Sequence, residues 1–238
     1  MADREPGPHP EPTVGVVGLG RLGGAVVEAC GAAGLRVVLT ASRRAGWRGS
    51  APTVLVDASG PGAGPEVVAY CAANRVALVQ CVSDIDDAHR AALCDLATRV
   101  AVLRAENLAY GHYVQRRLVE HAAVLGAARS AAASVWERHP ATKSHRPSAT
   151  ARLLADTWTT ATGADVGEVA SYRAGLAVSE HEFTWTWPAE SLVLRHQVGS
   201  LAAAARGATA AVRWLAGRPA GPATMRDVYD DLVHPEGS

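Results

Sequence analysis

The chain has 238 residues, 48% of them hydrophobic and 19% charged, ordinary proportions for a globular protein able to bury a sizeable core. Its 23 basic and 23 acidic side chains cancel and no basic run is long, so the charge points neither to nucleic acid nor to a membrane surface. No apolar run reaches the length of a membrane span, and Cys30, Cys71, Cys81 and Cys94 form neither a CxxC pair nor a metal-type spacing, so the chain reads as cytoplasmic, with free thiols and no metal.

Residues 1–12 are polar and Pro-rich and read as a disordered lead-in. Thr13 to Val17 is a short apolar run that reads as a buried strand. It leads into Gly18-Leu19-Gly20-Arg21-Leu22-Gly23 and a helical stretch from Leu22 to Ala33. G-x-G-x-x-G between a strand and a helix suits a dinucleotide: Gly18 permits the tight turn, Gly20 lets a pyrophosphate approach the backbone, and Gly23 lets helix and strand pack closely. A second strand, Leu35 to Thr40, ends in Ala41-Ser42-Arg43-Arg44 where an NAD-reading carboxylate is expected. A hydroxyl and two guanidiniums suit a 2′-phosphate, so NADPH is preferred, with NADH possible. Strands at Thr53 to Val56, Val76 to Val79 and Val100 to Leu103 alternate with helices at Glu66 to Ala73 and Asp86 to Thr98, the pattern of a parallel, doubly wound sheet. Ligands bind at the carboxyl ends of such strands. Those ends carry the glycine loop, Asp57 to Gly60, Gln80 to Ser83, and Glu106-Asn107.

Gly111 to about Ala128 reads as a helix. Beyond it, Ser134 to His139, Glu168 to Arg173, His181 to Trp187 and Ser191 to Val198 read as strands, the last two with clear period-two alternation. An antiparallel sheet follows, its aromatic face (Phe183, Trp185, Trp187) serving as core or as a subunit interface. Residues 137–151 concentrate the chemistry: His139, Lys143 (the chain's only lysine), His145, Arg146, Ser148 and Thr150 in one short run. Pro147 and Ser148 open an apolar-periodic helix, and a helix N-terminus offers free N–H groups and partial positive charge to an anion. A polar loop with an N-capped helix would read the same way locally. Leu201 to Leu215 is a further helix, Gly217 to Pro222 a break, and Met225 to Leu232 a last short helix. The whole reads as an α/β protein: a Rossmann-type doubly wound parallel sheet with an inserted α+β domain built on an antiparallel sheet. Residues 13–110 form the dinucleotide-binding domain and 111–200 the substrate-binding and oligomerisation domain, with 201–238 returning to the first domain.

The ordered set of motifs resembles the dihydrodipicolinate reductase (4-hydroxy-tetrahydrodipicolinate reductase) family over nearly the whole chain past the lead-in. The glycine loop, Asp57-Ala58-Ser59, Ala105-Glu106-Asn107 with Gly111, and Gly221, Met225, Asp227 and Val228 each look like a family motif. Glu137 to Ala151 is similar to the signature Glu-x-His-His-x-x-Lys-x-Asp-x-Pro-Ser-Gly-Thr-Ala, and Arg173, Gly175, His181, Glu190 and His196 follow the later pattern. The resemblance implies a homotetrameric, NAD(P)H-dependent reductase of a cyclic imine carboxylate in amino-acid biosynthesis. Carried over by position, His139 is the general acid. Lys143, Ser148, the Ala149 N–H and Thr150 hold substrate carboxylate. Gly18, Gly20, Arg21, Leu22, Gly23, Ser42, Arg43, Arg44, Ser59, Gln80, Cys81 and Asn107 serve the cofactor. Departures stand at Pro140 for the second histidine, Ala149 for the glycine, His145 for the aspartate, and Gln80 to Ser83 for the loop under the nicotinamide. They motivate one alternative, a paralogue acting on a different cyclic imine acid; a cofactor-binding protein without turnover stands as a second alternative beside it.

Overall fold

The computed structural model describes residues 11–83, 85–125, 131–175 and 179–234. The lead-in up to residue 10 and the last three residues of the helix expected to reach 128 lie outside them. The chain forms two compact units, one holding the residues up to Arg104 together with Ala208–Ala223, the other Ala105–Gly207 together with the residues from Thr224 on.

The first unit is built on a seven-stranded sheet. β1 (Val14–Val17), β4 (Val54–Asp57), β5 (Ala77–Gln80) and β6 (Ala101–Arg104) are short apolar runs, and β1 and β4 are buried along their whole length. Strands buried on both faces need no alternation, which is why the sequence shows continuous valine and leucine there. β2 (Val37–Ser42) and the short β3 (Gly46–Gly49) lie on the other side of β1, giving the order β3-β2-β1-β4-β5-β6 with β11 (Gly221–Thr224) beyond β6. The pairs β2–β1, β1–β4, β4–β5 and β5–β6 are parallel, while β3 returns antiparallel on β2. Helices α1 (Arg21–Ala32), α2 (Gly64–Asn74) and α3 (Asp87–Ala97) make the crossovers that parallel pairing requires. Each turns an apolar stripe inward, with Val26 and Cys30 on α1, Val67 and Cys71 on α2, and Leu93 and Leu96 on α3. Among the four cysteines, none of which is in a disulfide, Cys30 and Cys71 are buried, Cys81 is half-buried and Cys94 is exposed.

The second unit carries a four-stranded sheet in the order β10-β9-β7-β8, from β7 (Ala132–His139), β8 (Glu168–Arg173), β9 (Glu180–Trp187) and β10 (Glu190–Gln197). β9 pairs antiparallel with β7 and with β10, as the alternation suggests. β8 pairs parallel with β7, so the sheet is mixed and not wholly antiparallel. The reason is the helix α5 (Ala149–Thr162) in the intervening chain, since a helix between two neighbouring strands makes a crossover and not a hairpin. α4 (Tyr110–Val124) and α5 pack Val119, Ala123, Leu154 and Trp158 on Val135, Phe183 and Trp185. The aromatic face of β9 is therefore core. α6 (Ala202–Leu215) contributes to both units, and α7 (Met225–Val233) groups with the second, where Tyr229 donates its hydroxyl to the Leu108 carbonyl at 2.6 Å.

Candidate active site

In the first unit, an open pocket of about 680 Å³ lies at the carboxyl ends of β1, β2 and β4. Gly18 has φ +84°, and a Cβ there would lie 2.4 Å from the Ser59 Cα. A Cβ on Gly23 would lie 1.7 Å from the Gly18 carbonyl oxygen, so only glycine lets α1 start this close to β1. A Cβ on Gly20, the N-cap of α1, would meet nothing within 4 Å, and the helix start has no side-chain cap. The first-turn amides from Arg21 to Gly23 thus open at a helix N-terminus, the arrangement that binds pyrophosphate. Ser42, Arg43 and Arg44 line the same pocket at the turn between β2 and β3, with both arginines exposed and the Ala45 N–H donating to Ser42 Oγ at 3.1 Å. Trp47 of β3 also lines it, stacked on Tyr70 at 4.3 Å between ring centres and donating its indole N–H to Glu66.

Asp57 is fully buried at the end of β4 and accepts from the Ser59 amide at 3.0 Å, from the Ser59 hydroxyl, and from Gln80 Nε2 at 3.1 Å. It fixes the loop after β4. Gln80 is 2% exposed, and its amide nitrogen also lies 3.2 Å from His89 Nε2 while its oxygen accepts from the Val82 amide at 2.7 Å. Its side chain is spent inside the unit, and of the two residues only Cys81, half-buried, lies nearer the surface. Asn107 sits in the second unit, where it donates to Thr150 Oγ1 at 3.1 Å and accepts from the Ala109 amide at 2.9 Å.

The second unit's chemistry is set by strand register. Along β7 the buried face reads Ala133, Val135, Glu137, His139, so it changes from core to polar within one strand. Glu137 pairs across to His181 on β9 and to Ser171 on β8, and His139 pairs across to Arg173. Glu137 is fully buried, and its Oε1 accepts from Ser171 Oγ at 2.7 Å, from the Arg173 guanidinium at 3.0 Å and from the Ser148 amide at 3.0 Å. Its Oε2 lies 3.3 Å from His139 Nε2 and 3.7 Å from His181 Nε2. The two histidine Nε2 atoms are 3.2 Å apart, and His181 Nε2 is 3.2 Å from Ser148 Oγ. Burial alone would raise the Glu137 pKa; hydrogen bonds from His139, His181, Ser148 and Ser171 outweigh it and hold the carboxyl well below the usual range. Burial pulls the His181 pKa down, against its bond to Glu137. Glu137, His139 and His181 each offer a ligand atom within 4.8 Å of the others, a spacing a cation could use, although Arg173 already supplies the carboxylate's counter-charge.

Ser148 caps α5, its Oγ accepting from the Ala151 amide at 3.2 Å. That bond leaves the amides of Ala149 and Thr150 as first-turn donors outside the cap. Lys143 is partly buried in the loop before α5, which Arg173 braces by donating to the Lys143 carbonyl at 2.9 Å and to the His145 carbonyl. The structure thus brings His139, Ser148, Ala149 and Thr150 together around one strand end and one helix mouth, with Lys143 on the loop that joins them. Glu137, Ser171, Arg173 and His181 join this site through the sheet, with no clustering in the sequence to mark them together. The available signal was the period of two in β7, which puts Glu137 on the same face as Val135 and so demands a partner for a buried charge.

Residues 111–229 match the family model described as dihydrodipicolinate reductase, C-terminus. A 4-hydroxy-tetrahydrodipicolinate reductase of Xanthomonas euvesicatoria pv. vesicatoria (strain 85-10) is 36% identical over 182 residues, spanning 76% of this chain and 75% of that protein. A protein of the same name from Thiobacillus denitrificans is 31% identical over 212 residues, spanning 81% and 78%. Among solved structures, the dipicolinate-bound dihydrodipicolinate reductase from Paenisporosarcina sp. TG-14 superposes with a TM-score of 0.71, covering 90% of this chain and 98% of that one, at 16% identity. At that identity the last comparison speaks to the fold alone.

Proposed function

The chain belongs to the dihydrodipicolinate reductase family, and we propose that it is an NADPH-dependent reductase of a cyclic imine carboxylate, of the kind that acts in the lysine and diaminopimelate pathway, with His139 as the proton donor. The observation that carries this reading is the site around His139: a histidine held by a buried, ionised carboxylate, beside a helix mouth with two first-turn amides and a lysine on the adjoining loop. A group so placed can deliver a proton while cationic and amide donors hold an anionic substrate. Lys143, Ser148, the Ala149 amide and Thr150 hold substrate carboxylate. The first unit's pocket fits a dinucleotide, since Gly20 leaves the N-terminus of α1 open and Arg43, Arg44 and Ser42 line the same space. Gly18, Arg21, Leu22, Gly23, Ser59, Gln80, Cys81 and Asn107 complete the cofactor's proposed contacts. The bound dinucleotide supplies the hydride; the protein supplies orientation and the proton. Because Gln80 is spent on Asp57 and His89, its contribution in this reading is through the backbone.

Assembly into a homotetramer through the second unit's sheet is part of the same reading and is supported by Leu192 and Val193 of β10, which are 54% and 48% exposed. No helix among the described residues is long and apolar enough to cross a membrane, and a cytoplasmic location is proposed with the biosynthetic role. A second reading, reduction of a different cyclic imine acid, is favoured by Pro140 and Ala149: the first removes an imidazole from the signature and the second adds a methyl at the helix mouth.

Titration of the NADPH-loaded protein with pyridine-2,6-dicarboxylate tests the carboxylate seat. Binding in wild type that weakens about ten- to a hundredfold in Lys143→Ala is expected from the loss of one charged hydrogen-bond partner. Absence of binding in wild type, with NADPH still bound, removes the two-carboxylate pocket from the reading.

A further inference from the structure

Seven buried side-chain polar atoms of the second unit have no hydrogen-bond partner among the described residues: the indole Nε1 of Trp158 and of Trp185, and Nδ1 and Nε2 of His112, Nδ1 of His181, Nδ1 of His196 and Oε1 of Gln115. The last five are not scattered. His196 on β10 is directly opposite His181 on β9, which is directly opposite Glu137 on β7, so the three side chains share one face along one register line of the sheet. His112 of α4 lies over that line, its ring centre 6.4 Å from that of His181 and 6.4 Å from that of His196. The inner end is closed by the 3.2 Å approach of His181 Nε2 to His139 Nε2. The outer end, His196, is only half-buried on the sheet's edge strand, whereas His112 and His181 are 2% and 1% exposed.

Two further features hold this row in place. Gln115 donates from Nε2 to the carbonyls of His181, at 2.9 Å, and Leu194, at 3.1 Å, clamping α4 to both strands while its oxygen stays unspent. Gly111 makes room for the last ring, since a Cβ there would lie 2.6 Å from His196 Nε2. Buried polar atoms left unpaired by protein are normally met by ordered water. Ring centres 6.4 Å apart are within the span of a single bridging water when the nitrogens face one another.

We propose that His196, His112 and His181 form a proton relay that recharges His139 from the edge of the sheet, an inference that rests on the reading of His139 as the general acid. That reading requires His139 to lose one proton in each turnover, and His139 itself is only 8% exposed. In the relay each step forms one N–H or O–H bond as it breaks another, and no electrons are transferred. A neutral imidazole takes a proton on one ring nitrogen and releases one from the other, and a turn of the ring restores the starting tautomer. The net change is one proton moved from solvent to His139. Burial pulls the pKa of His112 down to about 3 and also lowers those of His181 and His196, so none of the three traps the proton on its way.

The test needs no turnover. In uniformly labelled protein with 15N-histidine, the ring N–H of His139 and His181 is followed by NMR for exchange with solvent, in wild type, in His112→Leu and in His196→Gln. The relay predicts that both variants slow this exchange, by about tenfold or more if the row is the main route. Exchange at the wild-type rate in both variants overturns the proposal. So does faster exchange, which is what a variant that merely loosened the fold would give. A companion assay of His139→Gln with NADPH and substrate separates the two readings. Full turnover in that variant removes the acid role from His139 whatever the exchange data show. Lost turnover together with unchanged exchange in the other variants removes the relay alone.

Discussion

Replacing His112 by glutamine should flatten the acid limb of the protein's stability. His112 is 2% exposed, and burial, with smaller effects from His181, Arg116 and His196, depresses its pKa from 6.5 to about 3. Below pH 6.5 the unfolded chain therefore binds a proton that the folded chain refuses. Stability contributed by the neutral ring is fully present above pH 6.5 and falls as the pH drops toward 3, with a slope approaching about 1.4 kcal/mol per pH unit. By pH 4.5 the loss from this one residue is about 2.5 kcal/mol, a large share of a typical domain's net stability. His181 and His196, also depressed by burial, act in the same direction. Glu137 acts lower down: its folded pKa lies below the ordinary 4.5, so its contribution is present above 4.5 and is lost as the pH falls through the folded value. The window from pH 6.5 to 4.5 thus isolates the histidines. Urea unfolding at a series of pH values in that window gives the slope directly. Wild type should lose about 2.5 kcal/mol more than His112→Gln across it. Parallel curves for the two proteins would refute the claim that His112 is buried neutral.

Two other perturbations follow from the site. Glu137→Gln leaves Arg173 buried without its carboxylate, and breaking such a pair costs about 3 to 5 kcal/mol; the lower end is expected because Arg173 keeps its bonds to the Lys143 and Tyr172 carbonyls. Chemical denaturation measures it, and a loss under about 1 kcal/mol, the range of an exposed pair, would show that Glu137 is not ionised in the fold. In the first unit, Arg43→Ala and Arg44→Ala should each weaken NADPH about ten- to a hundredfold while leaving NADH nearly unchanged, because only the 2′-phosphate needs the guanidinium. Equal loss for both cofactors in a binding titration removes the 2′-phosphate role.

Much of this architecture is written in local pattern. The glycine loop is legible because it sits between a continuous apolar strand and an amphipathic helix, and the parallel sheet is legible because strands and helices alternate. The two short additions at its edges are not. β3 is four residues with glycine at both ends, and β11 runs through Gly221 and Pro222 within a segment that reads as a break. Neither has an apolar alternation of its own, so only pairing with β2 and placement beside β6 define them as strands. The direction of β8 was likewise hidden, since period two reports which face is buried and says nothing of parallel or antiparallel neighbours. In the site, His139, Lys143, Ser148 and Thr150 stood out by their clustering in sequence. Ser171 and Arg173 reach Glu137 only through the sheet, 34 and 36 residues away, and His181 reaches Ser148 from 33 residues away. Gln80 shows the converse: its position at a strand end suggested the cofactor, while Asp57, 23 residues away, claims its amide.

The central proposal, reduction of a cyclic imine carboxylate with His139 as acid, meets its most direct test in a single spectrophotometric measurement. Purified protein is mixed with NADPH and freshly generated dihydrodipicolinate, and the loss of nicotinamide absorbance is compared between wild type and His139→Gln. Oxidation by wild type, reduced about a hundredfold or more in the variant, is the expected result for a lost general acid. Equal oxidation by the two proteins contradicts the role of His139, and no oxidation by wild type that still binds NADPH contradicts reduction of this imine acid.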